Sequence, residues 1–489
     1  MHLHLNLRPV IHILGLMLMA LAAVMLIPLI VEQLIEGHEN AGFEEGAIVT
    51  GFFGLLIFLA SREEGELQLD LKQAFLLTAL SWMVLPIFAA IPLTGVEQDS
   101  GVWLSFTDAV FETVSGITTT GSTVLSGLDH LSPGFLVWRS LLNWIGGIGI
   151  IVMAIVMLPF LRIGGMQLFR SESSDRSEKI APNAGQIVAW ITGVYAALTL
   201  VCAAAFYLTG MSGFDAINHA MATLATGGFS THDASFGYFG VAAQWVAIVF
   251  MIAGALPFVA YIKFVRGRRR AFYEEPQVRA FLLFLFVVIV LGATYMASQS
   301  GQGFGEALTR VAFNVVSVVT TTGFATEDYS LWGTWAVAGF FLLMFVGGCA
   351  GSTSGAIKIY RFQVLWIILR NQLQRLTSPN RVIPLTFGAA RVGEGLLLSV
   401  LAFMAAFFAS VALITLLLAL MDIDFVTALT AAATAITNVG PGLGTIIGPA
   451  GNFAPLPDMA KWLLCFAMLL GRLEIFVLFM LFDPHFWKD

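Results

Sequence analysis

Four short, half-polar stretches in this chain carry threonines or an asparagine followed by a glycine. They are Ser115 to Thr123 (SGITTTGST), Thr223 to Thr231 (TLATGGFST), Val318 to Thr326 (VVTTTGFAT) and Ala435 to Gly444 (AITNVGPGLG). Each lies between hydrophobic runs. Glycine tolerates a positive φ, which lets successive backbone carbonyls face one axis. A ring of such carbonyls replaces the water around a dehydrating cation. Four copies of helix, polar re-entrant loop and helix therefore suffice to enclose a pore on a pseudo-fourfold axis. The chemistry in view is cation coordination by main-chain oxygen.

Loops of this kind need elements that aim them. A weakly amphipathic segment, long enough for half a membrane as a helix, precedes each one: Phe106 to Ile117, Phe214 to Leu224, Glu306 to Val319 and Phe425 to Ile436. Asp108, Asp215, Glu306 and Asp424 sit near their starts, where acids complement the positive end of a helix dipole. The carbonyl ends then point at the threonine-glycine loops. Irregular backbone at that depth is tolerated only where it lines a cavity or is buried in protein.

Composition sets the surroundings. Hydrophobic residues make up 58% of the 489, charged residues 11%, and the mean hydropathy is +0.86. These values describe a membrane protein, because a soluble domain carries about 25% charge. A helix needs about 20 residues to cross the hydrocarbon. The apolar runs are Val10 to Val31, Ala47 to Ala60, Lys72 to Leu93, Pro133 to Leu161, Ala184 to Leu208, Val241 to Val265, Val278 to Ala297, Trp332 to Arg370, Gly395 to Met421 and Met459 to Phe482. The second is short for a span and the eighth too long for an unbroken one. The expected fold is an all-α integral membrane protein with about ten transmembrane helices. The first run follows Arg8, exceeds a signal peptide in length and is read as a retained helix. Cys202, Cys349 and Cys465 stand singly in apolar segments and read as core thiols rather than disulfides or a metal cluster.

Basic residues orient the chain. Arg162, Arg170, Arg176 and Lys179 share one loop, Lys263, Arg266, Arg268, Arg269, Arg270 and Arg279 another, and Lys358, Arg361, Arg370, Arg375, Arg381 and Arg391 lie around a third. Counting the spans in order puts these loops on one side, which the positive-inside rule makes cytoplasmic, along with both termini. The other side carries Glu32, Glu36, Glu39, Glu44 and Glu45, then Glu97, Asp99, Asp233, Glu327, Asp328 and Asp422. These acids are either solvated loop charges or a negative vestibule that concentrates cations. A net charge of -7 fits both and offers nothing to nucleic acid.

Two features interrupt the apolar pattern. The eighth run contains Gly347, Gly348, Gly351, Ser352, Thr353, Ser354 and Gly355, with Lys358 just after. So much glycine and hydroxyl does not stay helical in an apolar setting unless its backbone is satisfied elsewhere. Arg472 sits deep in the last run, where a charge costs about 2.5 kcal/mol or more to insert. Glu474, two residues on, points to the opposite face and is no direct mate. The expectation is that Arg472 approaches the glycine-rich loop, donates to its carbonyls and opposes cations electrostatically.

These residues, with Phe345 to Lys358 (FVGGCAGSTSGAIK), Leu470 to Phe476 (LGRLEIF) and the ending Phe482 to Trp487 (FDPHFW), resemble the TrkH-type subunit of the Trk/Ktr/HKT superfamily of potassium transporters nearly end to end. The resemblance implies two extra N-terminal helices in residues 1–70 and pore repeats in 71–162, 180–270, 276–372 (its second helix broken) and 392–489. It implies K+ ligands on the backbone carbonyls of Thr119, Thr120 and Gly121, of Thr226, Gly227 and Gly228, of Thr321, Thr322 and Gly323, and of Asn438, Val439 and Gly440. It makes Gly347 to Gly355 an intramembrane gate beneath the filter. It further implies K+ uptake across a bacterial inner membrane, a homodimer, and a cytosolic TrkA-type regulator that binds NAD, ATP or ADP at the basic loops near Arg266 to Arg270 and Arg370 to Arg391. These loops serve lipid contact and positive-inside retention equally well. No dinucleotide fingerprint or Walker motif occurs, so any nucleotide binds the partner, and no organic cofactor is expected here. The filters lack the Gly-Tyr-Gly stretch of potassium channels, so the preference for potassium over sodium is modest. Where such proteins carry Gly-x-Asn-aromatic, this chain reads Gly254, Ala255, Leu256, Pro257, Phe258, which predicts a kink. A sodium- or proton-coupled symporter stays open beside a channel. An intramembrane enzyme is the reading from another class, and His219, its best buried histidine, has no paired nucleophile in its segment.

Overall fold

A computed structural model describes residues 6–37, 41–62, 69–95, 104–156, 184–301, 303–378, 385–388, 390–391 and 393–488. Arg162, Arg170, Arg176, Lys179, Arg381, Glu39, Glu97 and Asp99 lie outside the described residues. The chain is a helical membrane protein. Among the described residues seven helices are long and apolar enough to cross a bilayer, or eight if one bent pair forms a single span.

The helices Arg8–Ile35 and Ala41–Ala60 come first. The second begins six residues before the apolar run does, so Glu44 and Glu45 belong to its first turns and not to a loop, where they face the positive end of its dipole. Glu32 likewise lies within the first helix and is buried. Then one pattern recurs four times: a long helix, a short helix, an irregular strand and a helix. The long members are Leu71–Ala89, Ala184–Leu208, Pro276–Ser300 and Glu394–Ala419. Asp70 caps the first of them through the Gln73 N–H, and Gln73 returns the bond to the Asp70 N–H.

The short members are Phe106–Ile117, Gly213–Leu224, Phe304–Val319 and Phe425–Thr437, within two residues of the expected segments at each end. Their 12 to 16 residues span about 18 to 24 Å, part of a bilayer. Ser105, Ser212 and Asp424 cap three of them, taking the N–H of Asp108, Asp215 and Thr427.

The closing helices differ. The first, Pro133–Val156, is continuous. The second breaks into Val241–Gly254 and Phe258–Val265, bent by 92°, with Pro257 at the corner as its ring requires. The third breaks into Thr334–Leu343 and Ile359–Thr377 across the glycine-rich loop, whose ends pair as two short parallel strands, Val346–Gly347 with Ile357–Lys358. The fourth breaks into Asp458–Arg472 and Phe476–Phe482 at Glu474 and Ile475, both at φ 53°. Interruption is thus shared by three closing helices, whereas the sequence marked the second, by its kink, and the third.

Two apolar cores flank the irregular strands. One unites the N-terminal helices with the first and last units through Phe43, Phe111, Trp138, Ile436 and Met468. The other unites the middle units through Phe206, Phe236, Phe313, Phe324 and Tyr329. Cys202, Cys349 and Cys465 are buried and unbonded to one another, as core thiols.

Candidate functional site

The short helices close on Thr118, Ala225 and Thr320, each the capping residue after the last helical one, and on Thr437. The next residue then flips into the left-handed region: Thr119 at φ 51°, Thr226 at 50°, Thr321 at 59° and Asn438 at 55°. Two residues on, Gly121, Gly228, Gly323 and Gly440 are left-handed again, at 84°, 74°, 86° and 110°. Positive φ is uncommon outside glycine, so its recurrence at four matched threonine or asparagine positions marks a built feature. The amides turn back toward the helices: Thr120 donates to the Ser115 carbonyl at 2.9 Å, Gly227 to Ala222 at 2.9 Å, Thr322 to Ser317 at 2.8 Å and Val439 to Thr434 at 3.2 Å. The alternation of hands turns successive carbonyls the other way.

The four strands close into a ring. A Cβ on Gly121 would collide with the Gly227 carbonyl oxygen, one on Gly228 with that of Thr322, one on Gly323 with that of Val439, and one on Gly440 would lie 2.7 Å from that of Thr120. Each glycine faces the middle carbonyl of the next strand, and the last faces the first. All twelve expected residues therefore meet at one place, with Ser122 Oγ donating across to the Gly440 carbonyl at 2.8 Å.

On one side of the ring, the inner one if the basic loops are cytoplasmic, the glycine-rich loop is bonded to it. Thr353 Oγ1 donates to the carbonyls of Leu224 (3.0 Å) and Gly254 (2.9 Å), and its N–H also reaches Gly254. Thr226 Oγ1 donates to Thr353 Oγ1 at 3.2 Å. The Gly355 N–H donates to Thr321 Oγ1 at 2.6 Å, Ser354 Oγ lies 3.3 Å from that oxygen, and the Ala356 N–H reaches the Thr437 carbonyl at 2.8 Å. Gly348 donates to Ser354 Oγ at 2.9 Å, and Ser352 Oγ to the Cys349 carbonyl at 2.6 Å. The broken second closing helix joins in: Cys349 donates to the Ala255 carbonyl and Phe258 to that of Gly351, both at 2.9 Å. The departure at Gly254 to Phe258 is thus the seat of the loop.

Arg472 is buried and its Nη1 donates to the Thr353 carbonyl at 3.1 Å, while Nε and Nη2 have no protein acceptor among the described residues. Lys358 donates to the Ser354 carbonyl. Glu474 turns away from Arg472 and takes Nη2 of Arg361 at 2.7 Å.

On the outer side a mouth opens, lined by Gly121, Gly228, Gly323, Gly440, Thr123, Phe229, Asp233 and Phe453. Polar residues six positions before the helix ends clip the outgoing chain. Glu112 takes Thr123 Oγ1 and the Val124 N–H at 3.0 Å. His219 Nε2 sits 2.9 Å from Ser230 Oγ, and Asn314 Nδ2 donates to Thr326 Oγ1 at 2.8 Å. His219 therefore has a hydroxyl partner after all, outside its own segment, and the matched clips in the other units give the pair a holding role. Arg139 completes the clip: Nε donates to Glu112 at 2.8 Å, Nη1 to the Ser230 carbonyl at 2.8 Å, and its guanidinium lies 4.2 Å over the Phe229 ring. Glu112 and Arg139 are both buried, so neither charge is solvated.

Three of the outer acids, Asp233, Glu327 and Asp328, hold partners. Arg310 Nε donates to Glu327 at 2.5 Å, Asp328 takes the Ser330 N–H, and Asp233 takes the Leu128 N–H at 3.2 Å. Asp129 pairs with His232 Nδ1 and so joins the first unit's outer loop to the second's. Partial burial raises the Asp129 carboxyl, but the bonds from His232 and the Asp233 N–H outweigh it and leave it below the usual carboxylate value.

Glu112, Arg139 and the close-packing glycines were not foreseen. A Cβ on Gly146, Gly254 or Gly471 would press on a carbonyl in the last turn of a short helix, at Ile117, Leu224 and Ile436. The recurring glycine 29, 30 and 35 residues after those helix ends is the signal that was available.

The TrkH family profile, described as a cation transport protein, matches residues 38–488. The Trk system potassium uptake protein TrkI of Halomonas elongata is 48% identical over 98% of this chain and 97% of that protein. The Trk system potassium uptake protein TrkH of Escherichia coli K12 is 34% identical, covering 99% of each. The crystal structure of the potassium transporter TrkH from Vibrio parahaemolyticus superimposes with a TM-score of 0.90 at 33% identity, covering 99% of this chain and 100% of that one. With a profile and relatives that match almost its whole length, the chain belongs to the TrkH family of cation transport proteins.

Proposed function

We propose that this transport protein, which is not an enzyme, is a potassium uptake pore of the bacterial inner membrane. The observation that carries this reading is the cyclic closure of four matched strands, each glycine against the next strand's middle carbonyl. Main-chain oxygen held in a ring, with the carbonyl ends of four helices behind it, suits a cation that sheds its water. Potassium follows from the names borne by relatives of nearly the same length.

The twelve carbonyls of Thr119 to Gly121, Thr226 to Gly228, Thr321 to Gly323 and Asn438 to Gly440 form the filter, one triplet from each of the repeats 71–162, 180–270, 276–372 and 392–489. The loop Gly347 to Gly355 closes the inner exit, with Lys358 bonded to it and Arg472 adding an opposing charge. Conduction requires the loop to release Thr226, Thr321 and Thr437. Exposed Arg266, Arg268, Arg269, Arg270, Arg370 and Arg375 lie on the cytoplasmic side with both termini, and they receive a cytosolic nucleotide-binding TrkA-type regulator on a homodimer of this chain. The words "Trk system" in the relatives' names support a pore that works with further parts.

The test is rubidium uptake into proteoliposomes with sodium as competitor, for the native chain and Gly323→Ser. The added side chain meets both a positive φ and the Val439 carbonyl, so uptake should fall at least about tenfold, as when a close-fitting element is displaced. Native rubidium uptake that Gly323→Ser leaves unchanged would refute the filter. Uptake that requires a sodium or proton gradient would identify a coupled symporter.

A further inference from the structure

The ring has four corners but not four alike. In the first, Thr118 Oγ1 lies 2.7 Å from Thr120 Oγ1, and Asn438 Nδ2 donates to the same Thr120 hydroxyl at 2.9 Å. In the third, Thr320 Oγ1 lies 2.8 Å from Thr322 Oγ1. Those hydroxyl pairs tie the middle of the strand to the end of its own short helix. In the second corner both threonines are missing, and Ala225 and Gly227 stand in their places.

The space is not empty. A Cβ on Gly227 would run into Oδ1 and Cγ of Asn143. Gly227 is not left-handed, so its backbone accepts a side chain, and the three atoms nearest a Cβ there all belong to Asn143, the last being its own Cβ at 3.0 Å. Asn143 is fully buried, its Nδ2 reaches the Arg139 carbonyl at 3.4 Å, and its Oδ1 has no hydrogen-bond partner among the described residues. A buried amide oxygen left unpaired costs about 1 to 3 kcal/mol, so a residue kept there does something an alanine would not.

Asn143 also belongs to a stripe. Arg139, Asn143 and Gly147 recur at four-residue spacing on the continuous helix Pro133–Val156, which puts them on one face. Arg139 holds the Ser230 carbonyl, Asn143 backs Gly227, and Gly147 lets the helix approach to where its own Cβ would sit 3.0 Å from the Ala225 Cα. The stripe follows the second filter strand from its outer end to its inner one. Among the described residues this is the one closing helix without a break.

We propose that Asn143 is a specificity-determining positioning residue for the second corner. It supplies from the neighbouring repeat the buttress that Thr120 and Thr322 supply within their own, and thereby sets how closely that strand fits the cation. The proposal rests on the filter reading above.

The experiment is a substitution cycle in the full-length protein in proteoliposomes: Asn143→Ala, Gly227→Thr and both together. Rubidium uptake, the sodium concentration that halves it, and thermal stability are read for each. Asn143→Ala should shift the sodium competition toward sodium by about threefold or more, in the range of coupling between touching residues. Gly227→Thr alone should lose most uptake, and the double variant should recover part of the uptake and selectivity, because the alanine clears Oδ1 and Cγ and leaves only a Cβ 3.0 Å away. A merely structural asparagine would lower thermal stability and leave the sodium ratio alone. Should Asn143→Ala not fold, Asn143→Ser carries the same selectivity readout. Unchanged sodium competition in the asparagine variants, or native uptake and selectivity in Gly227→Thr, would overturn the proposal. Because every comparison is made against a native chain that selects rubidium, these outcomes leave the filter itself standing. Failure of the native chain to select rubidium would sink the filter first.

Discussion

The two sides of the ring are held by different chemistry. Outside, a buried ion pair, Glu112 with Arg139, reaches across two units and grips Thr123, Val124 and Ser230. Inside, the glycine-rich loop is held chiefly by bonds among hydroxyls, amides and carbonyls, through Thr226, Thr321, Thr353 and Ser354, and Lys358 and Arg472 each add one bond to its carbonyls. Buried charges that lose a partner are heavily penalised, whereas a neutral hydrogen bond contributes about 1 kcal/mol net and is exchanged readily for another. That difference fits the gate proposed above, with an outer wall built to stay and an inner loop built to let go. Arg472 fits the second description, since a bond to the Thr353 carbonyl anchors a guanidinium whose Nε and Nη2 meet no acceptor among the described residues.

The sharpest way to break this contrast is to cut the outer pair. Arg139→Met strands Glu112 in the interior and should destabilise the protein by about 3 to 5 kcal/mol, read by thermal or denaturant unfolding in detergent. Adding Glu112→Gln should return part of that loss. A change under about 1 kcal/mol, as for an exposed pair, would mean the outer wall is no firmer than the inner loop.

Inside, Arg472→Ala should raise rubidium leak about tenfold in proteoliposomes without any regulator, equal to about 1.4 kcal/mol off the barrier, with little change in stability. Reduced leak would reverse the assigned role of the charge. Thr353→Ala removes the Oγ1 bonds to Leu224 and Gly254, leaving the main-chain bond to Gly254, and should raise the same leak about fivefold, the equivalent of about 1 kcal/mol. If instead it lowered unfolding stability as much as Arg139→Met, the loop would be structural.

The smallest effect concerns the outer loops. The Asp129 side chain is 40% exposed, so its pairing with His232 is discounted for solvent, to below about 1 kcal/mol. Its carboxyl lies below the usual value, so the stabilisation is present above the unfolded value of about 3.9 and fades as pH falls through the lower folded value. Asp129→Asn should therefore open a small gap in loop protection against protease at pH 7, and that gap should close toward pH 3. A gap that widens in acid would contradict the assigned sign.

Much was legible from local pattern. The four short helices came from acids at their starts and glycines after their ends, because capping and dipole rules act over one turn. The kink at Pro257 came from the missing N–H of its ring. The approach of Arg472 to the glycine-rich loop came from the expense of an unpaired charge in an apolar run. The break at Glu474 and Ile475 was hidden, since neither residue marks a positive φ. Asn143 against Gly227 and Glu112 with Arg139 were hidden too, lying 84 and 27 residues apart with no repeat to relate them.

By itself, then, the sequence determined the membrane setting, the fourfold succession of elements and the register of each threonine-glycine triplet. These rest on hydropathy, helix termini and the conformational freedom of glycine, which neighbouring residues decide. Only the tertiary structure decided that the triplets close in cyclic order, that three closing helices break, and that the unbroken one lends its asparagine to the next corner. Those outcomes depend on which surfaces fill the same space, and packing between distant segments has no periodicity to read along a chain.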